Sequence, residues 1–459
     1  MRWVFLLLVI LSLPLLIAYA KKGTKQRDKL LMVLGALFFA SGTLALDASL
    51  ITWPVWPGTA RGIVLSFVDS IALALLVLRP KKARTPPFLV ICGLFLLTMI
   101  IASFGASVKM ASLFAVLQFA QLALLYFALS GELARPSAIS SLLKGIAVGL
   151  IVQAGFVAYQ KLTGVVQAPG SFFHQNVLGM ATQLAAAPLL AAILEGERNK
   201  LAYGGVIAAC ICVAGGGSRA SMAFFALALA LTILVSLIRR STALKWKTVG
   251  MAVIMAAFFV PMALGTLQAR FGTLEISTED ESRVAFERAA RAIAEDHPLG
   301  VGPNNFVTIN NTQGYAADAG IAWGGGLLDK PVHNAYLLAR SETGWFGQIM
   351  LFLLLTGVAL AGFWAAFRDR RTPTVGIAVG SAVGVTTIAL HSNYEFAWYV
   401  MELQRLFFVN AAIVAGCLAI AAEKKLQNRN ARRLKAAPSV FGPAAGERPL
   451  DGQGVSYGN

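Results

Sequence analysis

The chain has 459 residues, of which 57% are hydrophobic and only 13% charged. Apolar runs near the ~20 residues needed to cross a hydrocarbon core recur along almost its whole length, with short polar breaks, which excludes an ordinary soluble protein. The formal net charge of +17 would suggest nucleic acid in a soluble chain. In a membrane protein, basic residues gather in cytoplasmic loops, so the charge reports topology and no nucleic-acid partner is expected.

The pattern predicts an all-α polytopic protein with about 12–13 transmembrane helices and one large, partly helical periplasmic loop. In chain order the expected spans are 3–20, 30–46, 62–78, 88–104, 111–129, 139–159, 177–194, 201–217, 221–238, 248–265, 346–367, 375–391 and 403–422. The first ends in Ala18-Tyr19-Ala20, which resembles a signal-peptidase site, but the basic cluster after it opposes translocation, so an uncleaved anchor is expected. The loops carrying Lys21 to Lys29, Arg79 to Arg84, Arg239 to Lys247 and Arg368 to Arg371, together with the tail from Glu423, fall on one side of the alternation. Placing that side in the cytoplasm collects about 27 of the 39 Lys and Arg. All four cysteines lie in apolar runs without metal-ligand spacing, so neither a disulfide framework nor a zinc site is indicated.

The expected division is 1–160 as N-terminal transmembrane helices, 161–422 as a catalytic membrane region holding the long external loop 266–345, and 423–459 as a basic cytoplasmic tail, disordered from its Gly and Pro content. All four histidines (His174, His297, His333, His391) fall in or beside external segments.

Several residues there can carry chemistry. Arg283, Glu287 and Arg291 share one face of a helix expected from Arg283 to Ala294, with Val284, Ala285, Ala289, Ala292 and Ile293 available for packing. That face is either a solvated salt-bridge ladder or a cationic surface for a phosphorylated ligand. Thr278 and Glu281 suggest a capping box at its start. The Glu279-Asp280-Glu281 run can stabilise the helix start or hold a hard cation; the first is expected, and no metal. Gly300-Val301-Gly302-Pro303 lacks the context of a nucleotide loop and reads as a turn needing glycine dihedrals. His333, at the bilayer interface, suits a general base, its alternative being a surface histidine bonded to backbone. Arg219, after Gly215-Gly216-Gly217-Ser218, needs an anionic partner or snorkels to head groups. His174 and Asn176 before the seventh span, and His391 and Glu395 after the twelfth, either face one cavity or form a satisfied polar cluster. Asn334 and Glu342 flank the helix after His333 and are further candidates to line that cavity.

Taken in order, Phe172 to Asn176 entering a span, Ser218-Arg219 after a glycine run, Arg283 on a helix leading to His297-Pro298-Leu299-Gly300-Val301-Gly302, and His333-Asn334 with Glu342-Thr343-Gly344 resemble the O-antigen ligase superfamily. This superfamily includes O-antigen ligases, polysaccharide polymerases and bacterial O-oligosaccharyltransferases. The resemblance covers about 170–365 and implies a bacterial inner-membrane glycosyltransferase of lipopolysaccharide or other surface-polysaccharide biosynthesis, with a periplasmic active site and no cofactor. Its donor would be glycan on undecaprenyl diphosphate, and its acceptor lipid A core or a growing glycan. By match to the family's motifs, Arg219 and Arg283 would hold the diphosphate and His333 would activate the acceptor hydroxyl, with inversion. The short basic tail departs from the extra external domain common in O-oligosaccharyltransferases. The alternative from another class is a transporter or flippase of polyprenyl-linked glycan. It would favour charges distributed through the spans and repeat symmetry, neither of which the sequence has.

Overall fold

The computed structural model describes residues 2–40, 47–79, 85–271, 276–321 and 328–436 and is 77% helical with 3% strand, so the expected all-α membrane fold is borne out. The first part runs α1 (Arg2–Lys21), α2 (Thr24–Leu37), β1 (Asp47–Thr52), β2 (Gly62–Ser66), α3 (Phe67–Val77), α4 (Leu89–Phe104), α5 (Lys109–Glu132) and α6 (Pro136–Leu162). It continues with α7 (Gln175–Leu194), α8 (Lys200–Gly216), α9 (Arg219–Arg239) and α10 (Ala243–Phe271). The long loop contains α11 (Ile276–Asp296), α12 (Phe306–Thr312) and α13 (Tyr315–Asp318). After it come α14 (Ala335–Arg368), α15 (Pro373–His391), a 3-10 turn at Ala397–Tyr399 and α16 (Met401–Ala436). Met1–Ala421 form one compact unit and Ala422–Asn459 a second, described as helix as far as Ala436. Of the tail 423–459, expected to be disordered, residues 423–436 instead continue α16 as helix, and 437–459 lie outside the described residues.

Each of the thirteen expected spans falls on a helix, but among the described residues nine helices are both long and apolar enough to cross a membrane. The apolar helices α3, α4 and α8 are shorter, 11, 16 and 17 residues. At 1.5 Å per residue they reach roughly 16–26 Å, less than a ~30 Å hydrocarbon core. The span expected at 30–46 is helical only to Leu37, and 41–46 lie outside the described residues.

The span expected at 62–78 needs correction. Its first residues, Gly62–Ser66, form a strand paired antiparallel with Asp47–Thr52, and the helix begins only at Phe67, capped by Ser66 and Asp69. Ile63 and Val64 favour extended backbone, and Trp53-Pro54-Val55-Trp56-Pro57-Gly58 supplies the turn.

The alternation of the chain is visible in its contacts. Segments expected beside the basic loops meet one another: Arg27 with Glu132 at 3.2 Å, Arg135 with Asp28 at 2.8 Å, and the buried Arg239 and Lys245 with Glu195 at 2.8 and 2.7 Å. Those buried charges persist because they are paired. Segments expected on the opposite face also meet: Asn304 Nδ2 donates to Ala60 O at 2.7 Å, and Asn305 Oδ1 accepts from Val108 N at 2.9 Å.

Small residues set the helix spacing that matters for the site. α7 is buried from Val177 to Leu194, and Gly376, Gly380 and Gly384 recur every fourth residue on α15. A side chain at 380 would run into the backbone of Ala187 and Pro188, so glycine lets α15 lie directly on α7. Gly179 of α7 approaches Ser221 of α9 equally closely. The start of α7, the start of α9 and the end of α15 are thereby drawn together.

The long loop builds its own small core. Ala285, Phe286, Ala289, Ala290 and Ile293 of α11 pack with Val301, Phe306, Val332, Leu337 and Leu338. Val284, expected to pack, is 60% exposed instead, because the buried stripe runs one residue later along the helix.

Candidate active site

His333 lies just before α14, whose N-terminus is capped by Asn334: its Oδ1 accepts from Tyr336 N at 3.0 Å and Leu337 N at 3.1 Å. The same turn is tied to the end of α15, with Ala335 N donating to Ser392 O at 2.8 Å and Tyr336 Oη to Ala389 O at 2.9 Å. These bonds hold His333 over the 392–396 turn, where its Nδ1 meets Glu395 Oε1 at 2.7 Å and its ring lies edge-on to Phe396. A carboxylate can only accept, so this bond places the proton on Nδ1 and leaves Nε2 as the basic nitrogen.

Glu395 is the hub of the cluster. Its side chain is 4% exposed, and its second oxygen accepts from Asn176 Nδ2 at 3.4 Å. Burial by itself pushes this carboxyl up. The hydrogen bond and charge of His333, with the charges of His174 and Arg283, outweigh it and hold the group below the usual carboxylate range. Folding thus lowers this pKa, so the carboxylate stabilises the fold above its ordinary range, and that contribution fades as pH falls through the lowered value.

The other sequence candidates take distinct places. His174 caps α7, with Nδ1 accepting from Asn176 N at 3.2 Å, and acts electrostatically on Glu395. Arg283 lies close enough to Glu395 and His391 for its charge to act on both. Further along the same helix, Arg291 and Glu287 make the expected exposed ladder pair at 3.5 Å. His391 is 1% exposed, stacked on Phe224 of α9 at 4.7 Å and bonded through Nδ1 to Gln183 Nε2 at 3.1 Å. Glu342 is buried and clamps the glycine turn: Phe306 N donates to Oε1 at 3.2 Å, and its own carbonyl accepts from Gly302 N at 2.9 Å. That turn does use glycine dihedrals, φ 85° at Gly300 and 94° at Gly302. His297 contacts Tyr315, whose hydroxyl donates to Asp296 at 2.7 Å. The side chains of Thr278 to Glu281 lie outside what is described. Among the described residues no group of three or more His, Cys, Asp or Glu is placed to hold a metal ion.

Arg219 opens α9, five residues before the Phe224 that stacks on His391. It stands on an apolar groove of about 500 Å³ between α7, α8, α9 and α10, whose walls include Val206, Met222, Phe225, Met255 and Phe259. The described site therefore combines a half-buried imidazole, a carboxylate that fixes its tautomer and a nearby guanidinium, while Arg219 lines the apolar groove at the start of α9.

Residues 204–352 match the O-antigen ligase family. This part of the chain belongs to the O-antigen ligase superfamily. A comparison with curated proteins found no match. The ligase match begins in α8 and ends in α14, so it holds Arg219, Arg283, His333, Asn334 and Glu342. The match suggests a ligase or polymerase type of function. His174, Asn176, His391 and Glu395 fall outside the ligase match and join its residues only in three dimensions. Glu395, which the sequence offered only as a cavity-lining candidate beside His391, is the residue that bonds His333.

Proposed function

We propose that the protein transfers glycan from an undecaprenyl-diphosphate carrier to an acceptor hydroxyl, at the outer, periplasmic face of a bacterial inner membrane. The observation that carries this is the His333–Glu395 pair at 2.7 Å, which leaves Nε2 of a partly exposed imidazole as a base beside Arg283. Nε2 takes the proton of the acceptor hydroxyl while its oxygen attacks the anomeric carbon. The bond from that carbon to the diphosphate oxygen breaks, and its electron pair leaves with polyprenyl diphosphate. Attack opposite the leaving group inverts the configuration. Arg219 and Arg283 hold the diphosphate and stabilise the charge that grows on it. The apolar groove below Arg219 suits the polyprenyl chain. With two guanidinium groups in this role, no divalent metal is required.

The arginines provide the test. Lysine keeps the charge but loses the planar fork that grips two phosphate oxygens. Arg219→Lys and Arg283→Lys are each expected to reduce transfer by about 10- to 100-fold, matching a charged hydrogen bond of ~1.5–3 kcal/mol, with the loss appearing in donor binding. Full activity in both lysine variants would show that neither touches the diphosphate.

A further inference from the structure

α14 is not one straight helix: Gly344, at φ 69°, breaks it between a first segment from Ala335 and a second that runs to Arg368. Residues five apart do not share a face of an unbroken helix, so the break is what lets the Arg340 guanidinium lie 3.7 Å over the ring of Trp345. Arg340 is half-buried. Among the described residues its Nε has no hydrogen-bond partner and no carboxylate pairs with it. One turn past Trp345, the side-chain oxygen of Gln348 is likewise buried with no partner among the described residues. Buried polar atoms ordinarily find a partner, so each of these marks a position where an outside molecule can bond.

Trp345 and Gln348 stand on the wall of a groove of about 600 Å³ between α14 and α15, which shares no lining residue with the groove at Arg219. The wall continues through Ile349, Phe352 and Ala359, with Ile349 and Phe352 about half exposed. From Trp345 to Ala359 the helix rises roughly 21 Å at 1.5 Å per residue, more than the ~15 Å of one leaflet of a ~30 Å core, so a single acyl chain can lie along it. The polar end selects the head. Arg291 also lines the groove but is already paired with Glu287 at 3.5 Å, whereas Arg340 has no such partner among the described residues. One guanidinium matches the single charge of a phosphodiester and would leave a diphosphate with uncompensated charge. Gln348 Oε1 needs a donor. A glycerol hydroxyl donates without charge, whereas an ethanolamine ammonium would set a second cation beside Arg340. We infer that this groove is a seat for an anionic glycerophospholipid of the outer leaflet, with its phosphate on Arg340, a headgroup hydroxyl on Gln348 and one acyl chain along α14. The seat depends on the topology read above and not on the transfer chemistry. The lipid is no substrate. It fills the space between the two helices whose ends are joined by the Ala335–Ser392 bond, and so steadies the turn that holds His333 on Glu395.

Native mass spectrometry of the delipidated, detergent-purified protein should show phosphatidylglycerol bound at least about tenfold more tightly than phosphatidylethanolamine with the same acyl chains, and thermal unfolding should shift upward with phosphatidylglycerol alone. Arg340→Gln should erase that preference, lowering phosphatidylglycerol affinity about tenfold while phosphatidylethanolamine affinity holds, as expected for a lost charge-assisted bond. Thr356→Trp, which fills the groove from the α14 wall, should abolish tight binding of phosphatidylglycerol. Glycerol 3-phosphate, a head without a chain, should not compete. Equal binding of the two lipids to the unaltered protein, unchanged phosphatidylglycerol affinity in Arg340→Gln or in Thr356→Trp, competition by glycerol 3-phosphate, or displacement of the phospholipid by an equimolar polyprenyl-diphosphate oligosaccharide would each overturn the assignment. If Arg340→Gln fails to fold, the lipid comparison on the unaltered chain and the Thr356→Trp variant decide. These are binding readouts, so the transferase reading can fail while the lipid seat stands, and the reverse.

Discussion

Replacing His333 by alanine is expected to lower glycan transfer by roughly 10²–10⁴-fold, the range for a lost general base. Among the described residues the ring is hydrogen-bonded by Glu395 at Nδ1, and its neighbours are fixed by backbone bonds that alanine retains: the Asn334 cap and the Ala335–Ser392 bond. The fold and donor affinity should therefore survive, and the loss should fall on kcat. Turnover near that of the unaltered protein would move the base elsewhere. His174, which shares the Glu395 environment, would be the next candidate.

Glu395→Gln is expected to cost on the order of 10³-fold in kcat, although the amide is isosteric with the carboxyl. Glutamine can donate to Nδ1, which would move the ring proton to Nε2 and leave no base facing the acceptor; the same tautomer error explains the large effect of amide-for-acid changes in triads. Because the carboxyl is held below its usual range, the dyad persists through neutral pH and disappears only in acid. The acid limb of the rate profile that belongs to Glu395 should vanish in the glutamine variant. A purely structural role would instead lower the yield of folded protein and leave the profile of the surviving fraction unchanged.

The membrane fold could be read from the sequence because apolar length is a one-dimensional signal, and every expected span overlaps a helix. Helix length was harder to read. Gly62-Ile63-Val64-Leu65-Ser66 merges with the apolar run that follows, and only pairing with Asp47–Thr52 makes it a strand. Hydropathy carries no information about a partner. The same limit applies to the site. Arg219, Arg283 and His333 stood out as polar groups at membrane boundaries, whereas Glu395 earned its place only through a histidine 62 residues away and an asparagine 219 residues away. The helix contact that brings them together depends on Gly380, part of a 376, 380, 384 glycine spacing that is legible in the sequence but silent about which helix it meets. Asn334 and Glu342 were visible as polar residues beside His333. Their roles as helix cap and loop clamp depend on backbone groups that no side-chain pattern displays.

The central claim is that a glycosidic bond is made here, and the contrary possibility is that the protein moves an intact lipid-linked glycan across the bilayer. One measurement separates them: purified protein in excess chelator, supplied with a polyprenyl-diphosphate oligosaccharide and followed for release of polyprenyl diphosphate alongside the lengthened glycan. The account predicts that the two appear in equal amounts, that the new linkage has inverted configuration, and that neither forms with His333→Ala. Translocation of intact donor in vesicles without release of diphosphate, or transfer that stops with chelator and returns with magnesium, would contradict it.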